Sequence, residues 1–201
     1  VSRRRFRRAL LTSEFALNYC HETLIKVHRG ELPFDRTIKV SMTESLEKEQ
    51  ILGRMPLNLA TIENMRQRDL EDYAKLQSKD LSETARGEVQ QRLTERRRRC
   101  VTLLEELSLR TQRLLPCMKR MEQISMRMTE LQEQIKSLHN LSSAADERTY
   151  LQKELDDLMA LTKETPESMA AQMLTIQLRH GEYDKAMRDL SGGNLRLVVS
   201  I

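Results

Sequence analysis

Met-Glu-Gln-Ile-Ser-Met-Arg-Met-Thr-Glu-Leu-Gln-Glu-Gln-Ile-Lys-Ser-Leu, residues 121–138, is the stretch that decides the fold class. Six of its apolar residues, Met121, Ile124, Met128, Leu131, Ile135 and Leu138, are spaced alternately three and four apart. That spacing puts all six on one face of an α-helix and suits a helix that packs lengthwise against another. Leu107, Leu114 and Cys117 extend the same seven-residue series upstream, where Pro116 should kink or split the helix. Downstream, Leu141-Ser142-Ser143-Ala144-Ala145 reads as a short polar loop, and Ser143 with Asp146 resembles a capping box. Leu151, Leu155, Leu158 and Leu161 then supply a second stripe. Two seamed helices joined by a short loop predict an antiparallel coiled-coil-like hairpin over residues 117–140 and 146–163. Methionines at these core positions are read as packing, not as a binding groove.

The composition fits an all-α, elongated helical assembly. With 32% charged residues, eleven Met, three Phe, four Tyr and no Trp, the chain has the helix-formers for long paired helices but few aromatics for a thick core. No apolar run nears the roughly 20 residues that cross a bilayer, and the arginine-rich start lacks the apolar core of a signal peptide. No membrane partner is expected, and the compartment expected is the cytoplasm. Cys20, Cys100 and Cys117 are odd in number and unrelated in spacing, which argues against a disulfide framework and against a CxxC zinc site. The chain opens on Val1 and stops inside a motif, so it reads as an internal fragment of something longer.

Residues 3–28 read as one helix, with an apolar stripe through Phe6, Leu10, Leu17, Cys20, Leu24 and Val27 and Gly30 as a left-handed cap. Within residues 1–30, Arg3, Arg4, Arg5, Arg7, Arg8, Lys26 and Arg29 face only Glu14 and Glu22, a charge of +5. The whole chain carries +4, so the remainder is close to neutral. Such a concentrated excess reads either as a patch for phosphate or an acidic partner, or as a solvated helix end. Cys20, His21 and His28 lack the spacing and the companions of a metal site.

Residues 31–56 read as a linker. Leu32-Pro33-Phe34-Asp35 marks a turn, Ile38, Val40 and Met42 alternate as extended chain with no strand to pair with, and a helix over 43–54 is interrupted at Gly53 and closed by Pro56. Asn58 then caps a helix to about Ser78, and after a break a long helix follows over 81–115. Arg96-Arg97-Arg98-Arg99 invites a nucleic-acid reading, but four consecutive residues point all around a helix and no aromatic lies nearby to stack on bases; a solvated, ion-paired face is preferred. Thr165-Pro166-Glu167 is a helix start, with a capping threonine, proline in the first turn and an acid beside it; that helix should end at Gly181, before a terminal one opens at Glu182.

The chain closes on Asn194-Leu195-Arg196-Leu197-Val198-Val199-Ser200-Ile201. Leu197, Val198 and Ile201 share a helical face with Met187 and Leu190. These words resemble the opening of the promoter-melting domain in primary, sigma-70 type sigma factors of bacterial RNA polymerase. The order of a basic helix, a divergent helical segment and then this phrase is similar to that family too. Gly192-Gly193 departs from the pattern, since the resemblance implies continuous helix where two glycines, each costing about 1 kcal/mol, predict a bend or a soft spot.

The resemblance implies three divisions: 1–30, a basic helix; 31–181, a nonconserved-type helical segment; and 182–201, the start of the melting domain. It implies a bacterial cytoplasmic protein whose partners are the RNA polymerase core and the non-template strand of the promoter minus-ten element. It assigns Asn194 and Leu197 to a pocket for a flipped-out base, where Asn offers a donor and an acceptor and Leu an apolar wall. Phosphate contacts then fall to Arg3, Arg4, Arg5, Arg7 and Arg8. Carboxylates and histidines are dispersed and no glycine loop cradles phosphate, so neither an enzyme, a cofactor nor a small-molecule substrate is expected. The alternatives are a helical scaffold or adapter that binds proteins through the hairpin, and a stand-alone basic helical protein that binds nucleic acid through residues 3–8.

Overall fold

The computed structural model describes residues 1–40, 45–78, 80–139 and 141–199, apart from the side chains of 45, 46, 142 and 195–199. Among them are eight α-helices: α1 (Ser2–Leu10), α2 (Glu14–His28), α3 (Phe34–Thr37), α4 (Ser45–Leu76), α5 (Glu83–Glu106), α6 (Leu115–Ser137), α7 (Ala145–Thr162) and α8 (Pro166–Val199). The fold of the described residues is all-α. It divides into two compact units, one of Val1–Ala16 with Leu114–Ile201, the other of Leu17–Arg113. These boundaries fall elsewhere than the divisions expected at 30/31 and 181/182, because α1 is built into the same unit as α6, α7 and α8.

The first unit is organised by α6. Cys117, Met121, Ile124, Met128 and Leu131 are buried. Along one side runs α7, antiparallel as expected: Arg127 donates to both carboxylate oxygens of Glu154 at 2.7 and 2.8 Å, and Arg148 reaches back to the carbonyl of His139 at 2.8 Å. The seam is not a two-helix affair, however. α8 also runs antiparallel to α6, Gln132 donating to Glu167 and Gln177 to Glu122, and it contributes buried Met169, Met173 and Ile176. Since α8 starts opposite Gln132, only α7 covers α6 beyond that point; Ile135 and Leu138, expected in the seam, are therefore half-buried. α1 packs on α8 in turn, with the fully buried Phe6 ring stacked on Tyr183 at 5.8 Å and tilted on His180 at 5.0 Å.

The second unit is built on the α4–α5 pair. Ile51, Met55, Leu59 and Ile62 on α4, with Val89, Leu93, Cys100 and Leu104 on α5, form the buried stripes. Contrary to the expected interruption, α4 runs unbroken through Gly53 and Pro56. Both lie on its exposed face, as does Leu52, whose carbonyl loses a donor to the proline ring and can turn to water, while the stripe on the other face holds the helix. Asn58 is accordingly not a cap: it is buried inside α4 and donates to Glu106 at 3.0 Å and to the Leu103 carbonyl at 3.2 Å.

Other boundaries differ for local reasons. The helix expected over 3–28 breaks between Leu10 and Glu14, where the Thr12 hydroxyl donates to the Ala9 carbonyl at 2.6 Å and competes with the backbone ladder. Gly30 does adopt the left-handed cap, at φ 75°. α5 stops at Glu106 instead of 115, since Ser108 turns left-handed (φ 53°) and Leu109 forms a β-bridge with Ile38. The extended segment thus has a partner after all, although its residues 41 and 42 lie outside the described residues. Pro116 neither kinks nor splits a helix but sits in the first turn of α6, where its missing N–H costs nothing. No side chain caps α7, so the Ser143–Asp146 box is absent, and a 3-10 turn over Ser142–Ala144 leads in instead. Thr165 does cap α8, accepting from the Ser168 amide at 3.2 Å.

Candidate nucleic-acid interface

α8 has two halves. Pro166, Met169, Met173 and Ile176 are buried and His180 and Tyr183 half-buried, so the three-four alternation continues across Gly181 and the helix does not end there. From Lys185 to Asn194 every residue is exposed, Met187 and Leu190 among them. The helix passes through Gly192-Gly193 without interruption and reaches Val199, so the glycine pair does not break it. Glycine lowers helix stability but imposes no clash, and helical hydrogen bonds on both sides span the pair. Asn194 therefore stands on a helix with its side chain exposed; the Leu197 side chain lies outside the described residues.

The basic residues of α1 do not form one patch. Arg3, Arg4, Arg5 and Arg8 are exposed, but Arg7 is 9% accessible and has a partner of its own, so it is withdrawn from the phosphate contacts. Its place on α1 falls near the face that carries Phe6 and Leu10 into the core, which is why a run of arginines cannot all be solvated on a packed helix. Arg5 and Arg8, three apart, share a face with Thr12, and together with Ala9 and Arg179 of α8 they line a shallow groove of about 450 Å³. Arg179 is half-buried and pairs with Glu182 at 2.8 Å, whereas Arg5 and Arg8 pair with no carboxylate among the described residues. Arg179 and Asn194 are fifteen positions apart on α8, about 22 Å along the axis and roughly 60° around it. Arg179 was not legible as a site residue, because an end at Gly181 hid the heptad continuity that sets it beside α1.

In the second arginine run Arg98 and Arg99 are exposed, as a solvated face expects, while Arg96 is drawn inward and ion-paired. Arg96 donates to Asp69 and to Asp72, both at 2.5 Å, and Arg97 donates to the Tyr73 hydroxyl at 3.2 Å. Burial pushes the Asp72 carboxyl up, but hydrogen bonds from Arg96, Arg92 and Lys75 outweigh it and hold the group well below the usual carboxylate range. At Asp69 burial prevails over Arg96 and the carboxyl is raised. His21 is a core residue held by two hydrogen bonds: its Nε2 donates to the Leu59 carbonyl at 3.2 Å and its Nδ1 accepts from Arg66 at 3.1 Å. Burial keeps this imidazole neutral, lowering its pKa. Cys117 is fully buried and its thiol is pushed up to about 12 by burial, which makes it inert. No helix among the described residues is long and apolar enough to cross a membrane.

Compared with known proteins, the chain matches no family model, no curated protein and no solved structure.

Proposed function

We propose that this chain is part of a sigma factor of the bacterial primary type, which with the RNA polymerase core recognises promoters and helps to melt the minus-ten element. The observation that carries the reading is the continuity of α8 through Gly192-Gly193, since those glycines were the departure from the helix that the resemblance implies. It leaves Asn194 helical and exposed, free to offer its amide to a base edge. Exposed Met187 and Leu190 lie on the same face as Asn194 and offer apolar contact beside it. Arg179 on the same helix, with Arg5 and Arg8 of α1 beside it, adds positive charge, as a nucleic-acid surface requires.

The test uses the complete protein bound to core polymerase. Asn194→Ala should weaken open-complex formation by about 1 to 3 kcal/mol, the size of one base-edge interaction. The defect should shrink on a promoter made abasic at the matching non-template position, because the side chain then has nothing to read. An equal defect on intact and abasic promoter would reduce Asn194 to a helix-stabilising residue. A second reading, a helical adapter for other proteins, is favoured by Leu174 and Leu178, neighbours on one face of α8 and both exposed. No effect of Asn194→Ala on any promoter would leave that second reading standing.

A further inference from the structure

We propose that the groove lined by Arg5, Arg8 and Arg179 is a seat for a phosphate group of a nucleic-acid backbone, with Arg179 its third and unexpected member. Three arginines line one depression, and among the described residues the carboxylate that pairs with them is Glu182, bound to Arg179. The groove therefore keeps about two uncompensated positive charges at close range, an arrangement that repels itself unless an anion occupies it. Guanidinium is the side chain whose planar fork matches phosphate oxygens two at a time. No aromatic ring lines the groove, so it offers nothing for a base to stack on and reads charge, not sequence. It is a shallow channel rather than a closed cavity, which lets a polymer pass through. Preference for a nucleic-acid phosphate over free phosphate rests on the sigma reading.

The experiment titrates the 201-residue chain into a short fluorescein-labelled oligothymidylate and follows anisotropy at increasing potassium chloride. At low salt the chain should bind. Combined Arg5→Ala, Arg8→Ala and Arg179→Ala should weaken binding by at least tenfold and flatten the plot of log affinity against log salt by about 0.7 for each phosphate no longer neutralised. Arg3→Ala with Arg4→Ala, outside the groove, should do clearly less, and Glu182→Gln, which releases Arg179, should tighten binding. Circular dichroism melts should stay unchanged, since the substituted arginines are exposed or half-buried and α1 is anchored through Phe6. Absence of binding at low salt would overturn the proposal, as would a triple variant that binds like the parent. So would a triple variant that loses pyrophosphate binding but keeps the oligonucleotide, for the seat would then belong to the free anion. The two proposals fail separately. A complete protein that opens no promoter with core polymerase, alongside an intact groove effect, sinks the sigma reading alone; promoter opening with a triple variant that binds like the parent sinks the seat alone.

Discussion

α6 in one unit and α5 in the other are helices of nearly equal length, 23 and 24 residues, and each closes on its neighbours through positions three and four apart. They fill those positions differently. α6 presents Met121, Met128 and Leu131, all fully buried. On α5, between buried Leu93 and Cys100, the position that the spacing assigns to the interior is Arg96, whose side chain is 14% accessible. Opposite it, Asp69 and Asp72 continue the stripe of α4 at seven and ten residues past Ile62. One pairing has a largely apolar interior with its ion pair, Arg127–Glu154, at the rim; the other carries an ionic layer among its buried residues. An apolar layer holds helices together in any register that keeps it covered, whereas a buried charge accepts only the register that brings its partner.

The largest expected effect breaks the apolar side of this contrast. Met128→Asp places an unpaired carboxylate where three helices meet and should destabilise the first unit by roughly 4 to 5 kcal/mol in urea unfolding, at the top of the range for single substitutions. Ile135→Asp, where only α7 provides cover, should cost clearly less, and Gln134→Asp, exposed, close to nothing. Equal costs at Met128 and Gln134 would remove the three-helix packing of α6.

These packed residues were also the most legible in the sequence. The heptad series over 121–138 needs no knowledge of the partner to predict a helix with one buried face, and the hairpin followed from the loop. Tertiary partners were not legible: nothing in residues 121–138 tells that α8 shares the seam, and so the half-burial of Ile135 and Leu138 could not be foreseen. Glycine and proline misled, at Gly53, Pro56, Gly181 and Gly192, because local propensity prices an isolated helix while packing on the opposite face or flanking helix decides the outcome. In the candidate interface, the charge of α1 was legible but its partition was not, since which arginine turns inward depends on where α8 lies.

A smaller effect belongs to the ionic layer. Asp72→Ala strands Arg96 beside a single remaining carboxylate and should destabilise the second unit by about 3 kcal/mol, the low end for breaking a buried pair because Arg96 retains some access to water. Joint replacement of Arg96, Asp69 and Asp72 by Met, Leu and Leu should be neutral or stabilising, since the cost of desolvating three charges disappears with them. Acidity sharpens the contrast. The Asp72 carboxyl is depressed in the folded state, so its contribution is present above the ordinary carboxylate range and is lost as pH falls through the lower folded value. His21, lowered by burial, withdraws stability in the same direction, from about pH 6.5 downward. Asp69, raised, opposes them and is relieved by acid. In the first unit Glu154 and Glu167 are also held low, by Arg127 and Gln132, but they lie at the surface where solvent screens them, so the second unit, whose groups are buried, should lose structure at the higher pH, as followed by residue-resolved hydrogen exchange across an acid titration. Simultaneous acid unfolding of both units would refute that difference.

The smallest effect lies where α8 leaves the bundle, and it separates packing from propensity within one helix. A Cβ added at Gly192 or Gly193 meets no atom within 4 Å, and no residue from Lys185 to Asn194 is buried. Alanine at either position should therefore act on local helix stability alone, by about 1 kcal/mol, slowing amide exchange around Asn194 roughly fivefold. The urea midpoint of the unit should not move, because it is set by Met169, Met173 and Ile176 in the packed half. A shifted midpoint with unchanged local exchange would mean that the glycines touch the bundle, and the exposed half of α8 would have to be redrawn. If the sigma reading holds, the same substitutions should affect promoter opening less than Asn194→Ala does. They stiffen the helix that presents the asparagine without removing the amide that meets the base.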